Sequence, residues 1–168
     1  MAQPLISDLS RRNKLKLFVK HAPKNASVLE VGRGDGWFSA RLKEKGFRVT
    51  TLDLVEPADI VGDVLDWRSL GLAAGSFDAV VALEVIEHVD CAEALTALCK
   101  PDGIIFLSSP HPEWDWAMLL LERIGANQKR TSPHDHLVNF RRLPWKPLEL
   151  RRPAWIHQVG VFSNQPAV

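Results

Sequence analysis

Three of the five residues Ser27 to Val31 are apolar, in poor alternation, and the stretch runs directly into Gly32, Gly34 and Gly36; no other stretch narrows the possible folds as much. A short strand without polar alternation suits a parallel sheet buried on both faces. Glycine accepts positive φ and has no Cβ, so a sharp turn can follow and a ligand can lie against bare backbone where the next helix begins. The stretch reads as a cofactor cradle. A dinucleotide fingerprint, G-x-G-x-x-G, would place its third glycine at position 37, which is Trp37. The spacing here is E-x-G-x-G-x-G, from Glu30 to Gly36, and misses that pattern by one residue.

Around this turn the apolar pattern alternates between strand and helix. A helix is predicted from Ser7 to His21, with Leu15, Phe18 and Val19 at helical spacing. A second helix carries Phe38 and Leu42, and Gly46 stands where a C-terminal capping glycine belongs. Strands are predicted at Ser27–Val31, Phe47–Leu52, Ile60–Val61, Phe77–Leu83 and Ile104–Leu107, the last after a Pro101-Asp102-Gly103 turn. Helices are predicted near Cys91–Lys100 and at Glu113–Ile124, and Leu148–Ile156 and Gln158–Phe162 read as a terminal hairpin. Alternating strands and helices imply right-handed crossovers and a parallel sheet covered on both sides. A length of 168 residues fits one domain over 1–168.

Composition excludes several classes. With 46% hydrophobic and 24% charged residues and a formal net charge of +1, the chain is neither disordered nor built to coat nucleic acid. No apolar run approaches the roughly 18 residues that cross a membrane. The N-terminus lacks a signal-peptide pattern, so the expected location is the cytoplasm. Cys91 and Cys99 lack metal-knuckle spacing and read as reduced packing residues. Charge is unevenly spread: residues 30–102 carry 14 acidic and 7 basic groups, whereas 129–152 carry 7 basic and 2 acidic. The basic segment is expected to be a rim packed through Leu137, Val138, Phe140, Leu143, Leu148 and Leu150, with its charges outward. A nucleic-acid contact through Arg141, Arg142, Arg151 and Arg152 is the less favoured alternative.

In an open parallel sheet the ligand sits beyond the carboxyl ends of the strands. Asp53 closes the second strand about twenty residues after the glycine turn, where a carboxylate can accept both hydroxyls of a ribose; capping a helix is its alternative role. Asp63, with Val64, closes the third strand and either accepts from an adenine amino group or serves as a turn aspartate. Arg33, between the first two glycines, can pair with a cofactor carboxylate or with Asp35, but the favoured expectation points it to solvent.

These pieces, together with Ser76–Val89 and the Leu98-Cys99-Lys100-Pro101-Asp102-Gly103-Ile104 turn, resemble in order the motifs of the class I S-adenosylmethionine-dependent methyltransferases over residues 25–110. The resemblance implies a three-layer α/β Rossmann-like fold, with a mostly parallel seven-stranded sheet and an antiparallel last strand. The C-terminal part is expected to be abbreviated, because no helix of about ten residues fits between Phe140 and Leu148. It also implies S-adenosylmethionine as cofactor, held by Glu30, Gly32, Gly34, Gly36, Asp53, Asp63, Val64, Leu83 and Glu84. Arg33 and Asp102 depart from the usual motifs.

A hydroxyl acceptor must lose a proton during methyl transfer, and a near-neutral imidazole suits that role. His88 and His136 are the selected candidates, with His111 and His134 behind them. Trp114, Trp116, Trp145 and Trp155 could stack an acceptor, but core packing is the expected use. Glu84, Glu87 and His88, joined by His136, resemble the metal site of small-RNA 3′-terminal 2′-O-methyltransferases. That motif also occurs in metal-free methyltransferases, so the reading is of an enzyme without metal acting on a small molecule. A metal-dependent RNA 2′-O-methyltransferase and a non-catalytic cofactor-binding module are the alternatives.

Overall fold

The computed structural model describes residues 5–110, 138–153 and 157–167. In chain order the elements are α1 (Leu5–His21), β1 (Ser27–Val31), α2 (Trp37–Glu44), β2 (Arg48–Asp53), β3 (Ile60–Val61), β4 (Phe77–Leu83), α3 (Ala92–Leu98), β5 (Cys99–Pro110), β6 (Trp145–Arg151) and β7 (His157–Pro166). The helix predicted at Glu113–Ile124, and His111, Trp114, Trp116, His134, His136 and Trp155, lie outside the described residues.

All seven strands join one sheet in the order β3-β2-β1-β4-β5-β7-β6. Strands β1 to β5 run parallel, and β7 inserts antiparallel between β5 and β6, giving the expected direction of the last strand. The chain moves outward from β1 through β2 to β3, then returns to the other side of β1 as β4. The carboxyl ends of β1 and β4 therefore diverge, which opens a crevice there.

Alternate residues of each strand serve opposite layers, as the two-residue period of a strand demands. Val28, Ala79, Val81, Ile104, Phe106, Val159 and Val161 pack beneath α1 and α2. Leu29, Val31, Val80, Ala82, Ile105, Leu107 and Phe162 pack on the other face with α3 and with Phe140, Leu143 and Trp145. Phe18 of α1 forms the centre of the first layer, its ring edge-on to Phe38, Phe47 and Phe106 at 5.9, 5.5 and 5.5 Å. Gly46 has φ +87°, and the N–H groups of Gly46 and Phe47 donate to the carbonyls of Lys43 and Leu42. That double bond is a Schellman stop, so α2 ends where the glycine predicted.

Two expectations shift. The strand predicted at Ile104–Leu107 extends over Cys99–Pro110, because Phe77 pairs with Cys99 and Ala79 with Ile104, so residues 101–103 form a bulge instead of an open turn. Leu148 and Leu150 do not pack: they are 45% and 37% exposed on β6, which among the described residues is an edge strand with β7 as its sole neighbour in the sheet. Phe140, Leu143 and Trp145 hold this region instead; Trp145 is buried, and its indole N–H donates to Thr96 Oγ1 at 2.8 Å. Arg141, Arg142, Arg151 and Arg152 are exposed as expected. Cys91 and Cys99 are free and buried, and burial pushes both thiols up to about 12. Among the described residues no helix is long and apolar enough to cross a membrane.

Phe18→Ala is expected to lower unfolding stability by about 3–5 kcal/mol, since it empties the middle of an aromatic cluster. Leu148→Ala should change it by less than about 0.5 kcal/mol. Urea unfolding of the two variants, followed by tryptophan fluorescence, checks the contrast.

Candidate active site

At the end of β1 the Gly32 N–H donates to the Leu52 carbonyl at 2.9 Å, and the chain turns with φ +72°. A Cβ there would run into Val85, so this position needs glycine for both space and conformation. Gly34 has φ +55°, and open space lies where its Cβ would stand. Its N–H donates to Asp53 Oδ2 at 3.2 Å, joining the turn to the end of β2. Arg33 does not extend into solvent. Its guanidinium folds back over Gly36, where a Cβ would collide with it, and Nη1 donates to the Gly34 carbonyl at 3.4 Å. The cause is the missing side chain at Gly36, which leaves a seat for a planar cation.

A cleft of about 450 Å³ opens above this turn, lined by Arg11, Lys14, Glu30, Gly32–Asp35, Trp37, Phe38, Leu83 and Glu84. It gathers five of the residues selected from sequence: Glu30, Gly32, Gly34, Leu83 and Glu84. Gly36 lines an adjoining hollow with Ser39, Thr51 and Asp59. Asp63 accepts from the Leu65 N–H at 2.9 Å as the cap of a 3-10 turn, and Val64 is buried in the core. Neither of those two lines either cavity.

Helix α1 supplies residues that motif reading missed. Arg11 meets Asp35 at 2.7 Å and lies over the Trp37 ring, and Lys14 reaches Glu84 at 2.9 Å. Their spacing of three puts both on one helix face, but nothing in the sequence announces that this face crosses the glycine turn. Glu84 has φ +57°, an uncommon conformation for a side-chain-bearing residue. Ser108 Oγ donates to it at 2.6 Å, and His157 Nδ1 stands 3.7 Å away on β7. Ser108 and His157 carry no motif signal; only the β4–β5–β7 register brings them to Glu84.

The acidic groups divide by environment. Burial pushes Glu30 up to about 7, against the opposing pull of Ser39 and Arg33, and its Oε2 has no hydrogen-bond partner among the described residues. Burial and the nearby Glu84 charge push Glu87 up to about 8; it is 1% exposed, with Oε2 likewise unpartnered among them. Burial also acts to raise Glu84, but Lys14, His157 and Ser108 outweigh it and hold that carboxyl well below its ordinary range. The Glu84-to-His88 segment is a turn and not a helix, so its three polar side chains do not share a face. Glu84 faces α1, Glu87 is buried and His88 is exposed. Among the described residues no three His, Cys, Asp or Glu side chains gather as a metal site.

Residues 6–145 match the family model described as a methyltransferase domain. The chain is 35% identical over 160 residues to a ubiquinone biosynthesis O-methyltransferase of Xanthomonas axonopodis pv. citri, covering 83% of this chain and 64% of that protein. A protein of the same name from Idiomarina loihiensis is 31% identical over 147 residues, covering 74% and 58%. The chain thus spans less than two thirds of the length of these curated relatives. Among solved structures, the 1,6-didemethyltoxoflavin-N1-methyltransferase of Burkholderia thailandensis, with bound 1,6-didemethyltoxoflavin and S-adenosylhomocysteine, superposes with TM-score 0.62 at 20% identity, covering 93% and 78%. At that identity the likeness concerns the fold.

The carboxyl pKa shifts give stability two opposite pH limbs. Asp78, held at about 2 by Lys100 and Ser27, and Glu149, held at about 2 by Lys20, His21 and Arg151, favour the folded state above their unfolded pKa values. That contribution is lost as pH falls from about 4.5 toward 2. Glu30 and Glu87 act in reverse: the unfolded chain ionises first, so stability falls as pH rises from about 4.5 to about 8. Glu87→Gln should make the upper limb shallower and end it near pH 7, where Glu30 alone then sets it, while leaving the acid limb intact, which urea midpoints at pH 3 to 8.5 will read.

Proposed function

Because the chain belongs to the methyltransferase-domain family of class I S-adenosylmethionine-dependent enzymes, we propose that it moves a methyl group from S-adenosylmethionine to a hydroxyl oxygen of a small-molecule acceptor. The observation that carries this reading is the convergence of Glu30, Gly32, Gly34, Leu83 and Glu84 on one cleft at the β1/β4 switch point. The O-methyltransferase names of the relatives support oxygen as the acceptor atom.

The residues present suit the cofactor. The open side of Gly34 suits a nucleoside lying against the backbone, and Asp53, which lines neither cavity but accepts from the Gly34 N–H at the adjacent strand end, is assigned to the ribose hydroxyls. The Glu30 oxygen that lacks a partner among the described residues suits an ammonium, and Arg11 suits a carboxylate. Asp63 and Val64 are retained for the adenine edge on family resemblance. When bound, S-adenosylmethionine supplies a methyl carbon made electrophilic by its sulfonium.

The chain's own task is to align the acceptor and exclude water. Trp37, Phe38 and Leu83 give the cleft an apolar wall, and Glu84 is immobilised by Lys14 and Ser108. For the acceptor proton, His88 and His136 stand as proposed recipients, and His157 joins them through its position beside Glu84. We assign no metal to the reaction.

Calorimetry should detect binding of S-adenosylmethionine and S-adenosylhomocysteine. Asp53→Ala should weaken it by about 1.5–3 kcal/mol, the loss of a charge-assisted hydrogen bond, or roughly 10- to 150-fold. Unchanged affinity, or preference for a nicotinamide dinucleotide, would sink the assignment. With labelled cofactor, small-molecule hydroxyl acceptors from a pooled screen should be methylated at oxygen, and chelator should leave turnover intact. Single-stranded RNA should bind weakly, with a salt slope much shallower than about −0.7 per contacted phosphate summed over several contacts.

A further inference from the structure

We propose that the small cavity between α1 and the end of β6 is an anion subsite for the acceptor, in which Arg151 holds a carboxylate while the acceptor's hydroxyl reaches the neighbouring cleft. The inference rests on the reading that the cleft takes S-adenosylmethionine and a hydroxyl acceptor, and it adds the acceptor's chemical class: a small hydroxy acid.

Strand direction brings the cavity to the reacting end of the sheet. Strand β6 is antiparallel to β7, and β7 to β5, so Arg151 ends β6 on the side where Glu84 follows β4. Ser10, Asn13 and Lys14 are neighbours on one face of α1, and with Arg151 they line a cavity of about 40 Å³. Lys14 also lines the cofactor cleft, so the two spaces share a wall and one small acceptor can occupy both. Leu17 and Val159, both buried, add apolar surface for the acceptor's carbon skeleton.

Charge selects the ligand. Three groups reach Glu149: Lys20 at 2.7 Å, His21 at 2.8 Å and Arg151 at 2.6 Å. Arg151 can therefore turn to a ligand without stranding that carboxylate, because its two partners from α1 remain. Lys14 is committed to Glu84 at 2.9 Å. Among the described residues, then, the cations Lys14, Lys20 and Arg151 face the two carboxylates Glu84 and Glu149, and one positive charge is left over. A single surplus charge matches a monoanion. The volume holds about three or four water-sized groups, which fits a carboxylate and crowds a phosphate. A guanidinium meets a carboxylate through two parallel hydrogen bonds, and Ser10 and Asn13 supply neutral donors beside it.

The test is calorimetry on the full chain saturated with S-adenosylhomocysteine, titrated with benzoate, benzamide and phenyl phosphate. Benzoate should bind with a Kd on the order of 1 mM, benzamide at least about tenfold more weakly, and phenyl phosphate no more tightly than benzoate. Arg151→Gln should weaken benzoate about tenfold and Arg151→Lys should restore part of the loss. Arg142→Gln, an exposed change in the same basic segment, should leave benzoate binding as it was, and all three variants should keep their affinity for S-adenosylhomocysteine. With labelled cofactor, pooled hydroxy acids should be methylated at least about tenfold faster than their primary amides. Equal binding of benzoate and benzamide, no benzoate binding to a chain that takes S-adenosylhomocysteine, an equal loss in Arg142→Gln, or equal methylation of acids and amides would overturn the proposal and leave the cofactor assignment standing. Tighter binding of phenyl phosphate would overturn the carboxylate. Failure of S-adenosylhomocysteine to bind would instead overturn the cofactor reading on which the subsite rests.

Discussion

The bond from the Gly32 N–H to the Leu52 carbonyl fixes how the chain leaves the central strand, and the cleft depends on it. It carries the hydrogen-bonding of β1 and β2 one residue beyond Val31 while φ turns positive. Val85 occupies the space that a Cβ would need. The first turn after β1 and the segment after β4 therefore interlock at van der Waals range, leaving the carboxyl ends of the two strands as walls of one crevice. A side chain at position 32 would force those walls apart before any ligand arrived.

The two ends of the sheet treat buried charge in opposite ways. At the amino end, Asp78 accepts from the Ser27 N–H and Oγ, both at 2.7 Å, and from Lys100, so β1, β4 and the start of β5 are tied by a satisfied carboxylate. At the carboxyl end, Glu30 and Glu87 each keep a buried oxygen without a partner among the described residues. Unsatisfied buried polar groups are rare in stable folds because they forfeit hydration without replacement. These two carboxyl oxygens belong to the end of the sheet that also carries the left-handed Glu84.

The core and the cradle were legible because both are local. Strand β4 was read at its observed bounds, and the helix stop at Gly46 was read from one residue, since period and backbone conformation act within a few positions. The site's polar second half was not legible. Ser108 and His157 reach Glu84 through pairing between strands, and Lys14 reaches it from a helix 70 residues earlier. The same non-locality explains β6: Leu148 and Leu150 look like packing residues in sequence, and only the position of β6 at the sheet edge leaves them exposed. Arg33 was misread for a different reason, because the space it fills is created by the absence of a side chain at Gly36.

The ion pairs from α1 differ in how readily a ligand could exchange them. Asp35 has half its side chain in solvent, and its pairing with Arg11 is of the exposed kind that contributes little to stability. Arg11 can leave it for an anionic ligand group at small cost, with Trp37 still supporting the guanidinium. Lys14 is far less exposed, and Glu84 is also held by Ser108, so breaking that pair would strand a charge against the sheet. One helix face thus carries a replaceable contact and a fixed one a single turn apart. The fixed contact keeps α1 across the cleft while the replaceable one opens a binding position, so ligand capture need not involve detachment of the helix.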